Sequence, residues 1–420
     1  MIRSVAETLD NSAHAGDIQK TVLYEKHLHL AQKSHMAEFA GYLMPLWYSN
    51  ISKEHDAVRT HAGLFDVSHM GVLQFSGTDA EAFLNTVTTN CVDRLAINQA
   101  QYAYILDSDG TVLDDVIVYK LENKKYIVVV NAANEQKIKS YLRLLLTDTT
   151  LLKRRYKIEV VDLRKQTDGR GRVNIALQGP TSKDILLMLL DYASHAATLA
   201  ELKSFHLLQT SLAGFDVIIA RTGYTGAKMG FELFVSPENA GLLWDSILEI
   251  GRRFGLEPCG LGARDSLRIE AGLPLYGHEL EGDYKISPFE AGYGWAVKLE
   301  KDFFVGKDAM TKRAADYTME VVRLELPGQK GIRPVRQNDG VLDSGGRCVG
   351  WVISCAGVGQ SQIALAYMMR GVLKESQSVG VYYLARSQGQ VQQGRKERIE
   401  KMEILSADLT GRVVSRLEKF

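Results

Sequence analysis

VLQFSGTDAEAFLNTV, Val72–Val87, carries two periods back to back. VLQFSG alternates like a strand, whereas TDAEAFLNTV reads as a helix. Thr78 is the expected N-cap of that helix, and Glu81, three residues on, would close a capping box. Two strand-like runs follow, VLDDVIVYKL and KYIVVVN, and then a second helix, EQKIKSYLRLL. From Val173 the same order returns. VNIALQGP is a strand, TSKDILLMLLDYA a helix, FDVIIARTG and GFELFV are strands, and PENAGLLWDSILEIG is a helix. Ser236 is expected at the cap of this last helix and Pro237 at its first position, where a missing N–H costs nothing. Strand, helix, two strands, helix, repeated near 72–145 and 174–250, predicts an α+β fold built by duplication, with antiparallel sheets and helices on one face. The period is too long for a solenoid and too irregular for a propeller. Two such units create a seam, a common place for a ligand.

From about Met319 the texture changes. VVRLELPG, GGRCVGWVIS, QIALAYMM and VGVYYLA are short strand-like runs between glycine-rich turns, which predicts a C-terminal β-barrel or jelly roll over 316–420. The charged stretch ending in RVVSRLEKF receives no assignment. At 420 residues the chain is too long for one core, and 45% hydrophobic with 24% charged is ordinary globular composition. Fifty basic residues balance fifty acidic ones, so no electrostatic footprint for nucleic acid or a membrane surface stands out. Cys91, Cys259, Cys348 and Cys355 form no CxxC pair and read as reduced thiols. No apolar run is long enough for a membrane span. Residues 1–21 read as a mobile extension; they lack a secretion-signal core, and Glu7, Asp10 and Asp17 outnumber Arg3 and Lys20. The expected compartment is the cytoplasm.

GxxxxGK[ST] and GxSxG are absent, and GVGQSQ from Gly357 lacks a third glycine and a following helix. RTGYTGAKMGF, from Arg221, lies between two strands and reads as a hairpin turn. His27 and His29 form a bare HxH without HExxH or cysteines, so satisfied or exposed histidines are expected and no metal site. GTVLDDVIVYK, Gly110–Lys120, is different. Alternation puts Leu113, Asp115, Ile117 and Tyr119 on one face and Val112, Asp114, Val116 and Val118 on the other. An unpaired buried carboxylate costs several kcal/mol or is driven to protonate. Two readings stay open: both acids cap backbone N–H groups of a turn, or one carboxylate with a tuned pKa faces a ligand beside Tyr119. CGLGARDSLRIEAGLPLYGHEL, from Cys259, reads as a tight entry followed by a helix that puts Arg264 and Arg268 one turn apart. That pair is either solvated against Asp265 or Glu270, or placed to grip a carboxylate.

Taken in order, LYEKHLHL, AEFAGYLMPLWY, EHDAVRTHAGLFDVSHMGVLQFSG, GTVLDDVIVYK, VVNAAN, LQGP, RTGYTG with GFEL, PCGLGARDSLRIEAGLPLYGHEL and SPFEAGYGWAVKLEKDFFVGKDAM resemble the aminomethyltransferase (T-protein) family of the glycine cleavage system. The resemblance covers roughly residues 22 to 312. It implies a three-domain cloverleaf: a folate-binding region over 22–315 made of two α+β subdomains, and the barrel beyond it. It also implies transfer of a methylene carbon from the lipoyl arm of the H-protein to tetrahydrofolate, with release of ammonia and no metal. By motif match the catalytic residue is Asp115. Met70, Tyr102, Tyr119, Asn131, Tyr224, Glu232, Arg264 and Trp295 match folate-pocket positions, with Glu232 toward the pterin's N–H edge.

Two segments depart from the family pattern. AKMG follows RTGYTG where an acidic pair and glycine are usual, and ISCAGVGQSQIALAYM is shorter than the family's loop and lacks its serine–proline. The rival readings are a non-catalytic folate-binding protein of the same fold and a folate-dependent demethylase. The first carries KGCYxGQE where this chain has LPLYGHELEGD.

Overall fold

The computed structural model of the chain describes residues 18–32, 35–148, 152, 154–167 and 169–417. Residues 1–17 of the expected N-terminal extension lie outside this set, whereas Gln19–Lys20 pair in parallel with Tyr42–Leu43. The chain divides into two compact units. The first runs through Gly223 and adds Ala227–Arg264 and Ala296–Thr311; the second comprises Tyr224–Gly226, Asp265–Trp295 and Lys312–Phe420.

In the first unit the elements that build the two larger sheets and cover them include β1 (Ala62–Asp66), β2 (Gly71–Ser76), α1 (Ala80–Val87), β3 (Gln99–Leu106), β4 (Val112–Glu122), β5 (Lys125–Val130), α2 (Glu135–Thr147) and β6 (Glu159–Asp162). There follow β7 (Val173–Gln178), α3 (Ser182–Leu189), β8 (Leu207–Leu212), β9 (Phe215–Ala220), β10 (Gly230–Val235), α4 (Ala240–Gly251) and β11 (Leu256–Cys259). One sheet has the order β3-β4-β5-β2-β6 and the other β8-β9-β10-β7-β1-β11. The first four strands of each sheet follow the same path, so the duplication is real. Each copy holds one more strand in its first half than the hydrophobic period predicts, β3 and β8, although the resemblance already implied a strand at Tyr102. QAQYAYIL and LLQTSL alternate too poorly to announce themselves. In the second sheet β1 is inserted between β7 and β11.

Each sheet has one helix-covered face. Phe75, Val116, Val118 and Val128 pack against Phe83, Ile138 and Leu142, and Ile175, Ile219 and Leu233 against Ile185, Leu243 and Trp244. The opposite faces meet: Tyr119, Ile127 and Val129 of one sheet bury against Leu207, Ile218 and Phe234 of the other. Burying a side chain of this size is worth about 1.5–3 kcal/mol each, so the seam is itself a core.

Two predicted caps are corrected. α1 starts at Ala80, with Asp79 and not Thr78 in the N-cap position. The Asp79 carboxylate instead accepts from the Lys157 N–H and Arg154, and Glu81 accepts from Lys120 and Tyr126, each at 2.7 Å. Partners distant in sequence outbid the local box. Likewise α4 begins after Asn239, with Ser236 and Pro237 in the preceding turn. The far end of α1 is capped from a distance: Lys301 Nζ donates to the carbonyls of Asn85, Thr88 and Asn90.

β4 contains a bulge. Asp114 faces Ile105 while Val112 faces Leu106, leaving Leu113 unpaired. Leu113 therefore joins Val116 and Val118 in the helix-side core, not the face of Asp115 as simple alternation predicts.

In the second unit, β12 (Met319–Pro327), β13 (Gly340–Leu342), β14 (Cys348–Val358), β15 (Ser361–Met369), β16 (Ser378–Tyr382) and β17 (Leu409–Val414) close a barrel in the order β12-β15-β14-β13-β16-β17. The unassigned tail thus supplies the closing strand, paired with both β12 and β16. Its sequence, LTGRVV, is half exposed, which hides its apolar face. The shortened ISCAGVGQSQ segment is the tight β14–β15 hairpin, with Val358 facing Ser361. Among the described residues no helix is long and apolar enough to cross a membrane.

Candidate active site

The two aspartates of β4 point to opposite sides. Asp114 is 0% exposed on the helix side, whereas Asp115 is half-buried on the face toward the seam. Asp114 Oδ2 accepts the Asn131 backbone N–H at 2.9 Å. Its Oδ1 accepts the Asn131 and Asn134 side-chain amides at 2.8 and 2.6 Å. Asn131 and Asn134 bracket the turn that leads into α2, so this carboxylate also sits where the helix dipole favours a negative charge. Asp114 thus caps a backbone N–H as one reading expected, but from within strand β4 and at the Asn131 turn, not in the turn that precedes the strand.

Asp115 receives one donor on each oxygen. Tyr102 Oη donates to Oδ2 at 2.8 Å, and Asn131 Nδ2 to Oδ1 at 2.8 Å. The Asp115 backbone N–H also bears on this carboxylate, whose two oxygens offer about four acceptor sites, so capacity is left for a further partner. Burial pushes both aspartates above the usual carboxylate range, and for Asp114 the neighbouring Asp115 charge adds to it. The Tyr102 and Asn131 donors oppose the rise at Asp115.

Across the seam, Tyr119 Oη donates to Glu232 Oε2 at 3.1 Å, and Thr222 Oγ1 donates to the same oxygen. The Tyr119 ring meets Phe234 edge-on at 5.2 Å. Thr222 is held in place by Gln178 of the LQGP segment, whose amide donates to the Thr222 and Phe231 carbonyls. A Cβ at Gly223 or Gly230 would lie 2.0 or 2.5 Å from Gln178 Oε1. These two glycines, in RTG and GFEL, are there for close approach. Residues 221–229 form a connection longer than the expected tight hairpin turn.

Residues 25–301 match the family described as the GCVT N-terminal domain, about two thirds of the chain. The chain belongs to this aminomethyltransferase family. An aminomethyltransferase from Exiguobacterium sibiricum is 42% identical over 317 residues, covering 75% of this chain and 80% of its own. One from Symbiobacterium thermophilum is 38% identical over 357 residues, with coverages of 84% and 89%. The crystal structure of glycine cleavage system aminomethyltransferase T from Bartonella henselae superposes with a TM-score of 0.75 at 29% identity, covering 96% of this chain and 99% of that one.

In this aminomethyltransferase the first unit brings Tyr102, Asp115 and Asn131 into direct contact, and separately Tyr119 and Glu232. Met70 packs against the seam cluster that contains Tyr119. Arg264 lines a small cavity with Met44, Phe65 and Asp66, and with Arg164 it helps burial hold His69 down at about 4. Tyr224 and Trp295 fall in the second unit. There the Tyr224 hydroxyl donates to the Pro274 carbonyl, and Trp295, 50% exposed, lies beside Tyr293. Arg268 bonds Asp265 at 2.8 Å, as the first of the two readings expected, but it is buried and not solvated, and it also meets Glu279 at 2.6 Å. Gly260 precedes the helix Leu261–Ala271. Gly260 and Gly262 lie so close to Leu46 and Ile51 that a Cβ at either would clash, so GLGA is the tight entry expected.

Asn134 and Thr222 carry the site's second layer and were not singled out by sequence reasoning, although both sit inside quoted motifs. His27 is a satisfied core histidine: Nε2 meets Asp66 Oδ2 and Nδ1 meets Tyr48 Oη, both at 2.8 Å. Among the described residues no group of three or more His, Cys, Asp or Glu is arranged to hold a metal.

Proposed function

We propose that this aminomethyltransferase takes the aminomethyl group carried on the lipoyl arm of an H-protein and passes its methylene carbon to tetrahydrofolate. Ammonia leaves, the lipoyl sulfur regains a proton as a thiol, and two folate nitrogens each exchange a hydrogen for a bond to the carbon, giving 5,10-methylenetetrahydrofolate. The observation that carries this reading is Asp115, a half-buried carboxylate held by Tyr102 on one oxygen and Asn131 on the other, with acceptor capacity left for a further partner.

Asp115 accepts the proton released from the attacking folate nitrogen, and its negative charge stabilises the positive character that develops on the transferred carbon. Help of this kind is worth about two to four orders of magnitude in rate. Tyr102 and Asn131 hold the carboxylate, so little reorganisation accompanies the reaction. Glu232 fits a pterin edge: its two protein donors both fall on Oε2, and Oε1 has no hydrogen-bond donor among the described residues. Tyr119 and Thr222 fix that carboxylate, while Met70 and Arg264 are further proposed folate contacts. For Tyr224 and Trp295 the motif match is the support. The cytoplasm is the proposed site of the reaction.

The deciding experiment is turnover with aminomethylated lipoyl H-protein and tetrahydrofolate. Stoichiometric ammonia and 5,10-methylenetetrahydrofolate are expected. Tight tetrahydrofolate binding with neither product would overturn the reading in favour of a binding protein.

A further inference from the structure

We propose that Asp114 is a positioning residue for Asp115, acting through the side-chain amide of Asn131; this rests on the reading of Asp115 as the reacting carboxylate. Asp114 faces the helices and is 0% exposed, so it does not touch a substrate. What it touches is Asn131, twice: the backbone N–H on Oδ2 and the side-chain Nδ2 on Oδ1. The same Nδ2 reaches Asp115 Oδ1.

A primary amide has an accepting end and a donating end, and rotation about its last bond exchanges them. With a carboxylate oxygen 2.8 Å away on each side, only the NH₂ end is compatible with the place it occupies. The flipped amide would set Oδ1 against two carboxylate oxygens. Asp114 therefore keeps the donating end of Asn131 aimed at Asp115 even when Asp115 itself is protonated or engaged with substrate. Asn134, donating to Asp114 Oδ1 at 2.6 Å, fixes Asp114 from behind. A carboxylate needed only to cap the turn into α2 would use the Asn131 N–H and leave the amide unconstrained.

The test is a double-mutant cycle in the full-length enzyme. Asp114→Asn is isosteric, yet puts an NH₂ among donors and releases the Asn131 amide. Its kcat is expected to fall about ten- to a hundred-fold, with the KM for tetrahydrofolate within about two-fold. Asn131→Ala should lose kcat comparably, and the double variant should be no slower than Asn131→Ala alone. Losses that multiply would overturn the proposal. If Asp114→Asn does not fold, Asn134→Ala loosens Asp114 and enters the same cycle, with the same two outcomes. A readout independent of turnover is proton exchange of the Asn131 side-chain amide by ¹⁵N NMR. Exchange about ten-fold faster in Asp114→Asn is expected, and unchanged exchange overturns the proposal. Full activity in Asp115→Asn would defeat the catalytic assignment alone, while the exchange rate still decides whether Asp114 holds the amide.

Discussion

Tyr119 and Glu232, 113 residues apart, meet at 3.1 Å, the hydroxyl of one repeat donating to the carboxylate of the other. Both side chains are nearly inaccessible, so the bond ties the two sheets together while orienting the acid proposed to receive the pterin. Tyr119→Phe keeps the ring against Phe234 and removes only this donor. It should cost about 1 kcal/mol of stability, read from urea midpoints. The KM for tetrahydrofolate should rise severalfold while kcat stays close to the parent's.

Asp115→Asn removes the charge but keeps the shape. Methylene transfer should fall by about two to four orders of magnitude, with tetrahydrofolate affinity, measured by titration calorimetry, largely retained. Parental turnover in this variant would remove Asp115 from the mechanism.

The pH dependence has a definite sign. Asp114 and Asp115 are raised above the ordinary 3.8 in the folded chain, with burial the leading cause. The folded state therefore binds more protons than the unfolded one above that pH, and this pair's contribution to stability declines as pH rises through the window. Activity moves the other way, because the acceptor form of Asp115 is the ionised one. The acid limb of kcat against pH should lie above the ordinary carboxylate range, and Asp115→Asn should abolish it.

Asp66 behaves oppositely. Burial would raise it, but His27 at 2.8 Å and the Ser68 N–H hold it at about 2. Its stabilisation is complete above 3.8 and is lost as pH falls through about 2, a contribution of about 2 kcal/mol. Denaturant midpoints at pH 5 and pH 2.5 should fall less for Asp66→Asn than for the parent, although the variant starts lower.

How much of this was legible depended on how local the cause was. Asp115 could be separated from Asp114 because strand alternation is a two-residue rule, and the repeat was visible because its helices and central strands carry clean periods. The flanking strands Gln99–Leu106 and Leu207–Leu212 were not, since their polar positions interrupt the pattern. The Thr78–Glu81 box failed because Glu81 has stronger partners in Lys120 and Tyr126, and nothing nearby in sequence reveals them. Asn134 and Thr222 were in view as letters but not as roles. Each acts on a carboxylate supplied by another strand.

The extra residue at Leu113 has a consequence for how the chain tolerates changes in length. Upstream of it, the turn from Asp107 to Thr111 can gain or lose a residue and the irregularity takes up the slack, leaving the two acids where they are. Downstream there is no such reserve. One residue added between Asp115 and Tyr119 would exchange inside for outside along the remaining strand, and Tyr119 would lose Glu232. Natural or engineered insertions should therefore be survivable on one side of Leu113 and silencing on the other.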